Sequence, residues 1–213
     1  MLQTLWLCRR SHRDSGEWLL DALAGLYPYH ARAEGVAILS QYPITDEGFV
    51  TIDGRPPVLW VDLEVDGRPA RLIGAHLAPL LFMRLLNGPQ PFPQAVNEVT
   101  AQREEAVRAI SQMVAEAQTH GRAVWMGCDC NITDQTAIYR AIAGLGLRDV
   151  FREVGWGFGY TMPGHAAQGI ERANYTRIDY IWHTPDMIAL DVQVPDAPTG
   201  SDHLPVAATL GWK

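Results

Sequence analysis

The chain has 213 residues, of which 47% are hydrophobic and 19% are charged, and its formal net charge is −7. This balance excludes a disordered chain. The acidic charge argues against a broad basic surface for duplex DNA, although a local basic patch or bound metal ions would still permit nucleic-acid contact. No repeat, low-complexity tract or Ser/Gly linker divides the chain, so we expect residues 1–213 to form a single domain.

The sequence shows no pattern typical of a membrane-spanning helix or a signal peptide. No apolar run approaches the roughly 20 residues of a membrane-spanning helix. The start, MLQTLWLCRRSHRD, places its apolar stretch before its basic residues, the reverse of a signal peptide. The three cysteines lack the spacing of a disulfide framework, so we expect no disulfide and a reducing compartment, with the cytoplasm favoured.

The first half of the chain predicts one helix and several strands. Helical spacing covers residues 16–26, and residues 34–44 predict a buried strand that Pro43 closes. VLWVDLEV and ARLIGAHL predict two strands joined by a tight turn at Asp66-Gly67. A Pro-rich loop follows over residues 79–93; its apolar residues 80–83 are either packed down or form a lid or membrane-facing patch.

The second half predicts two helices and four strands. Residues 97–119 form the longest predicted helix, on which Arg103 and Arg108 are expected on a solvated face. AVWMGCDCN predicts a strand and DQTAIYRAIAGLG a short helix, before the strands RIDYIWH, IALDVQV and LPVAATL. Strands interleaved with a few helices indicate an α/β or α+β domain with mixed sheets.

Polar residues stand where four of these strands give way to loops: His76, Asp129 with Asn131, Asp179, and Asp202 with His203. Loops at strand ends are where rigid scaffolds place their chemistry. Structural explanations exist for each residue singly, such as turn formation or pairing of Asp179 with Arg177 or Arg172. Together, three carboxylates, a carboxamide and two histidines suit a hard divalent cation and a phosphate ester. An Asp-paired imidazole can also take a proton from an attacking water.

The segments GVAILSQYPI, GAHL, CDCN, RIDYIW and SDHLPV, in this order, resemble the endonuclease/exonuclease/phosphatase superfamily. Its members include pancreatic-type deoxyribonucleases, abasic-site endonucleases, sphingomyelinases and inositol-polyphosphate phosphatases. The resemblance covers roughly residues 30–212. It implies an α/β four-layer sandwich, two packed mixed β-sheets flanked by helices, with the site at one edge.

The resemblance also implies a role for each matching residue. His203 would be the general base, oriented by Asp179, and Asp129 would exchange a proton with the reacting group. Asn131 and His76 would hold the phosphate, with His76 as the alternative acid.

Further matching residues would support this centre. Glu34 would pair with His76, and Asp202 would bind metal together with Asp129. The implied cofactor is Mg²⁺ or Mn²⁺, and the implied substrate is a phosphodiester, with nucleic acid and phospholipid headgroups both open. No obligate protein partner is evident.

The chain departs from the family's pattern near its start. The family begins with a strand carrying an Asn, followed by a strand ending in Gln-Glu, whose Glu is the principal metal ligand. If MLQT marks the second strand, Gln3 takes the Gln position and Thr4 stands where Glu belongs, while Glu17 lies in a helical stretch. We therefore expect an N-terminally short member with a weakened metal site.

Three functions follow as alternatives. The favoured one is a metal-dependent phosphodiesterase or nuclease that uses activated water; the second is a non-catalytic member that binds a phosphate-containing ligand or a protein. The third is a zinc site at Cys128 and Cys130, for which only Cys8 remains as a further thiolate. EVGWGFGYTMPG resembles the family's aromatic substrate-side loop, and its aromatic residues either meet the substrate or cover the core.

Overall fold

A computed structural model describes residues 4–8, 17–53, 55–79, 91–162, 175–196 and 201–213. Its helices are α1 (Glu17–Leu23), α2 (Phe92–Thr119), α3 (Ala137–Ala143) and α4 (Val150–Val154). Its strands are β1 (Thr4–Cys8), β2 (Tyr29–Ala33), β3 (Val36–Ser40), β4 (Ile44–Ile52), β5 (Arg55–Val65), β6 (Arg68–His76), β7 (Ala123–Asp129), β8 (Arg148–Asp149), β9 (Asp179–His183), β10 (Met187–Gln193) and β11 (Ala207–Trp212). None of these helices has the length and apolarity needed to cross a membrane.

A mixed six-stranded sheet is the central layer, with strand order β4-β5-β6-β7-β9-β8. The β6–β7 pair is parallel, and the other pairs in this sheet are antiparallel. Every residue of β7 is buried, and β6 is buried from Ala70 onward. Such continuous burial is typical of a strand that is covered on both faces.

Helices α2 and α3 cover one face of this sheet. On β7, Val124, Met126 and Cys128 point into this helix-side core, together with buried residues of α2 such as Ile110. The alternate residues Ala123 and Trp125 belong to a second core on the opposite face. The strand's period of two therefore divides its apolar residues between two separate cores.

Two smaller sheets cover the opposite face. One has three antiparallel strands in the order β1-β3-β2, and the other pairs β10 with β11. Residues of β3, β10 and β11, including Ile38, Val192 and Leu210, pack into this second core. The expected sandwich of packed sheets and helices is confirmed; within the described residues, its second β-layer consists of two separate sheets.

Several predicted boundaries differ from the structure. The longest helix begins at Phe92 rather than at residue 97, with Pro91 at its N-cap. The strand predicted over residues 34–44 spans only Val36–Ser40, because a turn containing Gly35 at φ +77° joins it to β2. Strands β2 and β4 were not predicted, since both have mostly exposed residues and lack a long apolar run.

A disulfide bond joins Cys128 and Cys130, so the expectation of no disulfide is wrong. Strand β7 ends at Asp129, and Asn131 adopts a left-handed φ of +49°. The Cα atoms of Cys128 and Cys130 are 5.0 Å apart, closer than the about 6.6 Å expected for alternate residues of an extended strand. Both cysteines are completely buried in the helix-side core. The bond takes up both thiolates that the zinc interpretation required.

The turn between β5 and β6 gives a test of the fold. Asp66 and Gly67 both have positive φ, +54° and +75°, as a tight hairpin turn requires. Gly67→Ala should lower the free energy of unfolding by about 1 kcal/mol, because a Cβ disfavours this conformation. Urea unfolding measures the change. Gly25→Ala is the control, since a Cβ added at Gly25 would meet open space and Gly25 has no positive φ. Equal stabilities for the two variants would contradict the assigned turn.

Candidate active site

Three neighbouring strands place three polar side chains in a row at one end of the central sheet. His76 lies opposite Asp129 in the parallel β6–β7 pair, and Asp129 lies opposite Asp179 in the antiparallel β7–β9 pair. The adjacent residues Ala75 and Cys128 point into the helix-side core. By strand alternation, the row points towards the face that the smaller sheets cover.

Short contacts connect this row to the loop that carries His203. The Nε2 atom of His76 lies 3.4 Å from Oδ2 of Asp129. At the other end, Nδ1 of His203 is 2.9 Å from Oδ2 of Asp179, a hydrogen bond. Ligand atoms of Asp129, Asp179 and His203 all lie within 4.8 Å of one another. The four side chains therefore form one continuous polar cluster, and its two carboxylates suit a hard divalent cation.

The electrostatics of the cluster favour a charged imidazole. Burial lowers the pKa of His203, but the hydrogen bond to Asp179 and the charges of Asp179, Asp129 and Asp202 outweigh it and raise the pKa to about 9. In the metal-free protein His203 is therefore protonated at neutral pH, and Asp179 fixes the orientation of its ring.

Thr161 joins the segments that carry this pair, and sequence reasoning missed it. Its buried Oγ1 accepts the backbone N–H groups of Ile178 at 3.2 Å and Asp179 at 3.3 Å. Its carbonyl accepts the N–H of Leu204, the residue after His203, at 2.7 Å. A single threonine in a loop carries too little pattern for this role to be read from the sequence.

Asn131 lies beside the row but does not continue its face. The strand predicted over AVWMGCDCN ends at Asp129, and Asn131 has a left-handed φ, so Asn131 does not share a strand face with Asp129. The side-chain Nδ2 of Asn131 donates to the backbone carbonyl of Leu77 at 3.1 Å. The backbone carbonyl of Asn131 accepts from Nη2 of Arg103 at 2.7 Å. The carboxamide is thereby held against the loop that follows His76.

The remaining predicted residues occupy the margins of the site. Glu34 is exposed in the turn between β2 and β3, and its pairing with His76 stays a prediction. Asp202 is half-buried next to His203 but outside the cluster of shared ligand atoms, so its metal-binding role also stays a prediction. Arg177 bonds Asp149 at 2.8 Å, while Asp179 bonds His203. The alternative of a structural Arg177–Asp179 pair is therefore wrong, and Arg172 lies outside the described residues.

An exposed aromatic stack is formed by residues close to Thr161 in the chain and by Tyr175. The rings of Phe158 and Tyr160 are stacked 5.1 Å apart, and Tyr175 stacks on Tyr160 at 5.6 Å. Trp156 is 96% exposed and Phe158 76%, so these rings do not cover the core. Tyr160 directly precedes Thr161, whose hydroxyl is bonded to the backbone of Asp179, so the backbone connects the stack to the polar cluster.

Residues 8–203 match the Endonuclease/Exonuclease/phosphatase family, and the chain belongs to this family. The match confirms the resemblance carried by the five sequence motifs. No curated protein sequence matches the chain significantly. Membership in this family is shown by the match of the family's pattern over residues 8–203.

Solved structures show the same fold at low sequence identity. An endonuclease/exonuclease/phosphatase from Beutenbergia cavernae aligns with a TM-score of 0.71 and 19% identity, over 98% of this chain and 61% of that one. A mannosyl-6-phosphatase from Bacteroides thetaiotaomicron gives 0.66 and 14%, over 92% and 82%. Beta toxin from Staphylococcus aureus gives 0.66 and 16%, over 97% and 86%. At these identities the likeness extends to the fold alone.

The first strand does not support the assignment of MLQT to the Gln-Glu strand end. Strand β1 begins at Thr4 and ends at Cys8, with Cys8 paired to Val36. Thr4 therefore does not end a strand, because the described strand continues from it to Cys8. Glu17 begins α1, in agreement with the helical pattern around it. The described part of β1, TLWLC, contains no carboxylate.

The raised pKa of His203 can be measured directly. NMR titration of its ring protons in EDTA-treated protein should give a midpoint near the value of about 9. Asp179→Asn removes the main neighbouring charge at almost constant size, so the pKa should fall towards its ordinary value of about 6.5. Asp186→Asn, in the exposed turn before β10, should leave the midpoint unchanged. Identical midpoints in wild type and Asp179→Asn would contradict the assigned pair.

Proposed function

We propose that this chain is a divalent-metal-dependent phosphodiesterase that hydrolyses its substrate with a water activated by His203. The observation that supports it best is the cluster of Asp129, Asp179 and His203, with His76 beside it, at one end of the sheet. An imidazole fixed by a carboxylate, next to a second carboxylate and a further histidine, offers a base and anion contacts in one place.

The base in this proposal acts through the Nε2 atom of His203. Its Nδ1 is occupied by Asp179, so Nε2 is the ring atom that would face a water. Asp179 would stabilise the imidazolium after it takes a proton. Because the neighbouring carboxylates raise the pKa of His203, neutralising their charge is what would free Nε2 to accept a proton.

The phosphate in this proposal is held by His76 and Asn131. An amide nitrogen carries two hydrogens, and the bond of Asn131 to Leu77 uses only one of them, so the other would be donated to a phosphate oxygen. His76, held against Asp129, would donate from its ring. Asp129 would exchange a proton with the leaving oxygen. It is suited to this role because it lies between His76 and Asp179, the partner of His203.

The donor set also fits a divalent cation, Mg²⁺ or Mn²⁺. Asp129 and Asp179 are close enough to contribute oxygen ligands together, and Asp202 lies next to His203 in the chain. When bound, such an ion would offset carboxylate charge and polarise a phosphoryl oxygen. The residues of the chain would supply orientation, proton transfer and phosphate contacts.

The substrate in this proposal carries a planar ring next to its phosphodiester, as nucleic acid does. The exposed stack of Phe158, Tyr160 and Tyr175 supports this choice, because aromatic faces stack on bases with little sequence preference. A phospholipid headgroup is the other phosphodiester to test, since exposed Trp156 would also suit a lipid surface.

Non-catalytic phosphate binding is the second candidate function. The observation that favours it is the composition of β1, TLWLC, which contains no carboxylate that could serve as the family's principal metal ligand. Loss of such a ligand lowers metal affinity. Binding of phosphate without turnover would select this function.

The primary test is hydrolysis of bis-p-nitrophenyl phosphate with Mg²⁺, Mn²⁺ or EDTA. We expect turnover that needs a divalent cation and that falls by about 10²- to 10⁴-fold in His203→Ala, the usual contribution of a general base. His120→Ala is the control, because His120 is an exposed histidine at the end of α2. Wild-type rates in His203→Ala, or turnover that persists in EDTA, would overturn the mechanism.

Substrate class is tested with two diesters that release p-nitrophenol, thymidine 5′-(p-nitrophenyl phosphate) and methyl p-nitrophenyl phosphate. Phe158→Leu should raise KM for the thymidine ester by about 5- to 100-fold, as loss of one base stack predicts, and barely affect the methyl ester. Phe49→Leu, an exposed residue of the edge strand β4, is the control. Faster wild-type hydrolysis of a choline-headgroup phosphodiester than of the thymidine ester would favour the lipid substrate.

A further inference from the structure

We propose that Arg103 is the positioning residue for the phosphate-binding side of the site, because it ties the loops after β6 and β7 to helix α2. This inference rests on the proposed function for the role of those loops. The bonds themselves are a property of the fold. Nothing in the sequence pattern suggested this role, since Arg103 was expected on a solvated face.

Arg103 reaches both loops with one planar group. Its Nε donates to the carbonyl of Ala78 at 2.8 Å, and its Nη2 donates to the carbonyl of Asn131 at 2.7 Å. Ala78 is two residues beyond His76, and Asn131 is two residues beyond Asp129. The guanidinium therefore bridges the two chain segments that leave the site.

The position of Arg103 on α2 explains this reach. The buried stripe of the helix contains residues spaced three and four apart: Ala106, Ile110, Met113 and Ala117. Arg103 lies one step before Ala106 on the same stripe, where the helix passes the end of the sheet. Arg108 lies off the stripe and is exposed. The expectation of a solvated face is wrong for Arg103 and correct for Arg108.

The two loops also bond to each other. The N–H of Leu77 donates to the carbonyl of Asp129 at 2.9 Å, and Nδ2 of Asn131 donates to the carbonyl of Leu77 at 3.1 Å. Within the described residues, Arg103 contributes charged donors to this network, and it connects the loop pair to the helical layer. Charged donors make shorter and stronger hydrogen bonds than neutral ones.

Lysine cannot replace this geometry. A guanidinium presents several N–H donors in a fixed plane, which lets it address two carbonyls from defined directions, whereas an ammonium is a compact charge. Arg103→Lys should therefore keep only part of the wild-type hydrolytic rate. Arg103→Met keeps much of the apolar stem and removes all the donors.

The experiment compares Arg103→Met and Arg103→Lys with the control Arg108→Met. Amide hydrogen exchange by NMR is read at Leu77 and Cys130, whose N–H groups bond Asp129 and Ile178, with Val124 as a remote reference. Hydrolysis of bis-p-nitrophenyl phosphate with Mn²⁺ gives kcat and KM. Calorimetry measures the affinity for inorganic phosphate in Mg²⁺.

The proposal predicts faster exchange at Leu77 and Cys130, but not at Val124, in Arg103→Met. It also predicts weaker binding of inorganic phosphate and a kcat about 10- to 100-fold lower, because small displacements of groups in the site cost about this much. Added guanidinium chloride at millimolar concentration should restore part of the rate, and Arg103→Lys should lie between Arg103→Met and wild type. Arg108→Met should match wild type throughout.

Two results would overturn the role of Arg103: unchanged exchange at both amides, or unchanged kcat and phosphate affinity despite faster exchange. Absence of turnover in the wild type would instead reject the proposed hydrolysis. Phosphate affinity would then decide on Arg103, with weaker binding in Arg103→Met supporting it and equal binding overturning it. If the wild type did not bind phosphate either, both proposals would fail.

Discussion

The pairing register of three adjacent strands is the constraint on which the site depends. His76 faces Asp129 across a parallel pair, and Asp129 faces Asp179 across an antiparallel pair, so one row of the sheet carries all three side chains. A shift by a single residue in either pair would turn one of them into the helix-side core. The burial of Cys128 and Tyr180 beneath α2 and α3 opposes such a shift.

The other polar residues of the site, His203 and Asn131, lie in loops outside the three strands. The loop with His203 is held to β9 by its own hydrogen bond to Asp179 and by Thr161. On the other side, Arg103 and the Cys128–Cys130 disulfide constrain the turn that presents Asn131. The site is thus connected to both cores: its row faces the smaller sheets, and the loops after β6 and β7 are anchored to helix α2.

The sequence predicted the strand-end residues well, because motifs such as CDCN and RIDYIW combine a buried strand with an abrupt polar end. Their three-dimensional partners were harder to predict. Arg103 looks like any surface arginine until its place on the buried stripe of α2 is known, and Thr161 lies in an irregular loop. The disulfide was missed because cysteines two apart can bond only where the strand ends and the chain bends, at Asn131.

A double-mutant cycle on kcat, with Asp129→Asn, His203→Gln and the combined variant, tests most directly whether the row and the loop form one catalytic centre. Ligand atoms of the two side chains lie within 4.8 Å of each other, a distance at which mutational effects are not additive. When two groups act as a unit, replacing both lowers kcat little more than the more harmful single replacement does. We predict that the combined variant falls close to the slower single variant, whereas losses that multiply would contradict a shared centre.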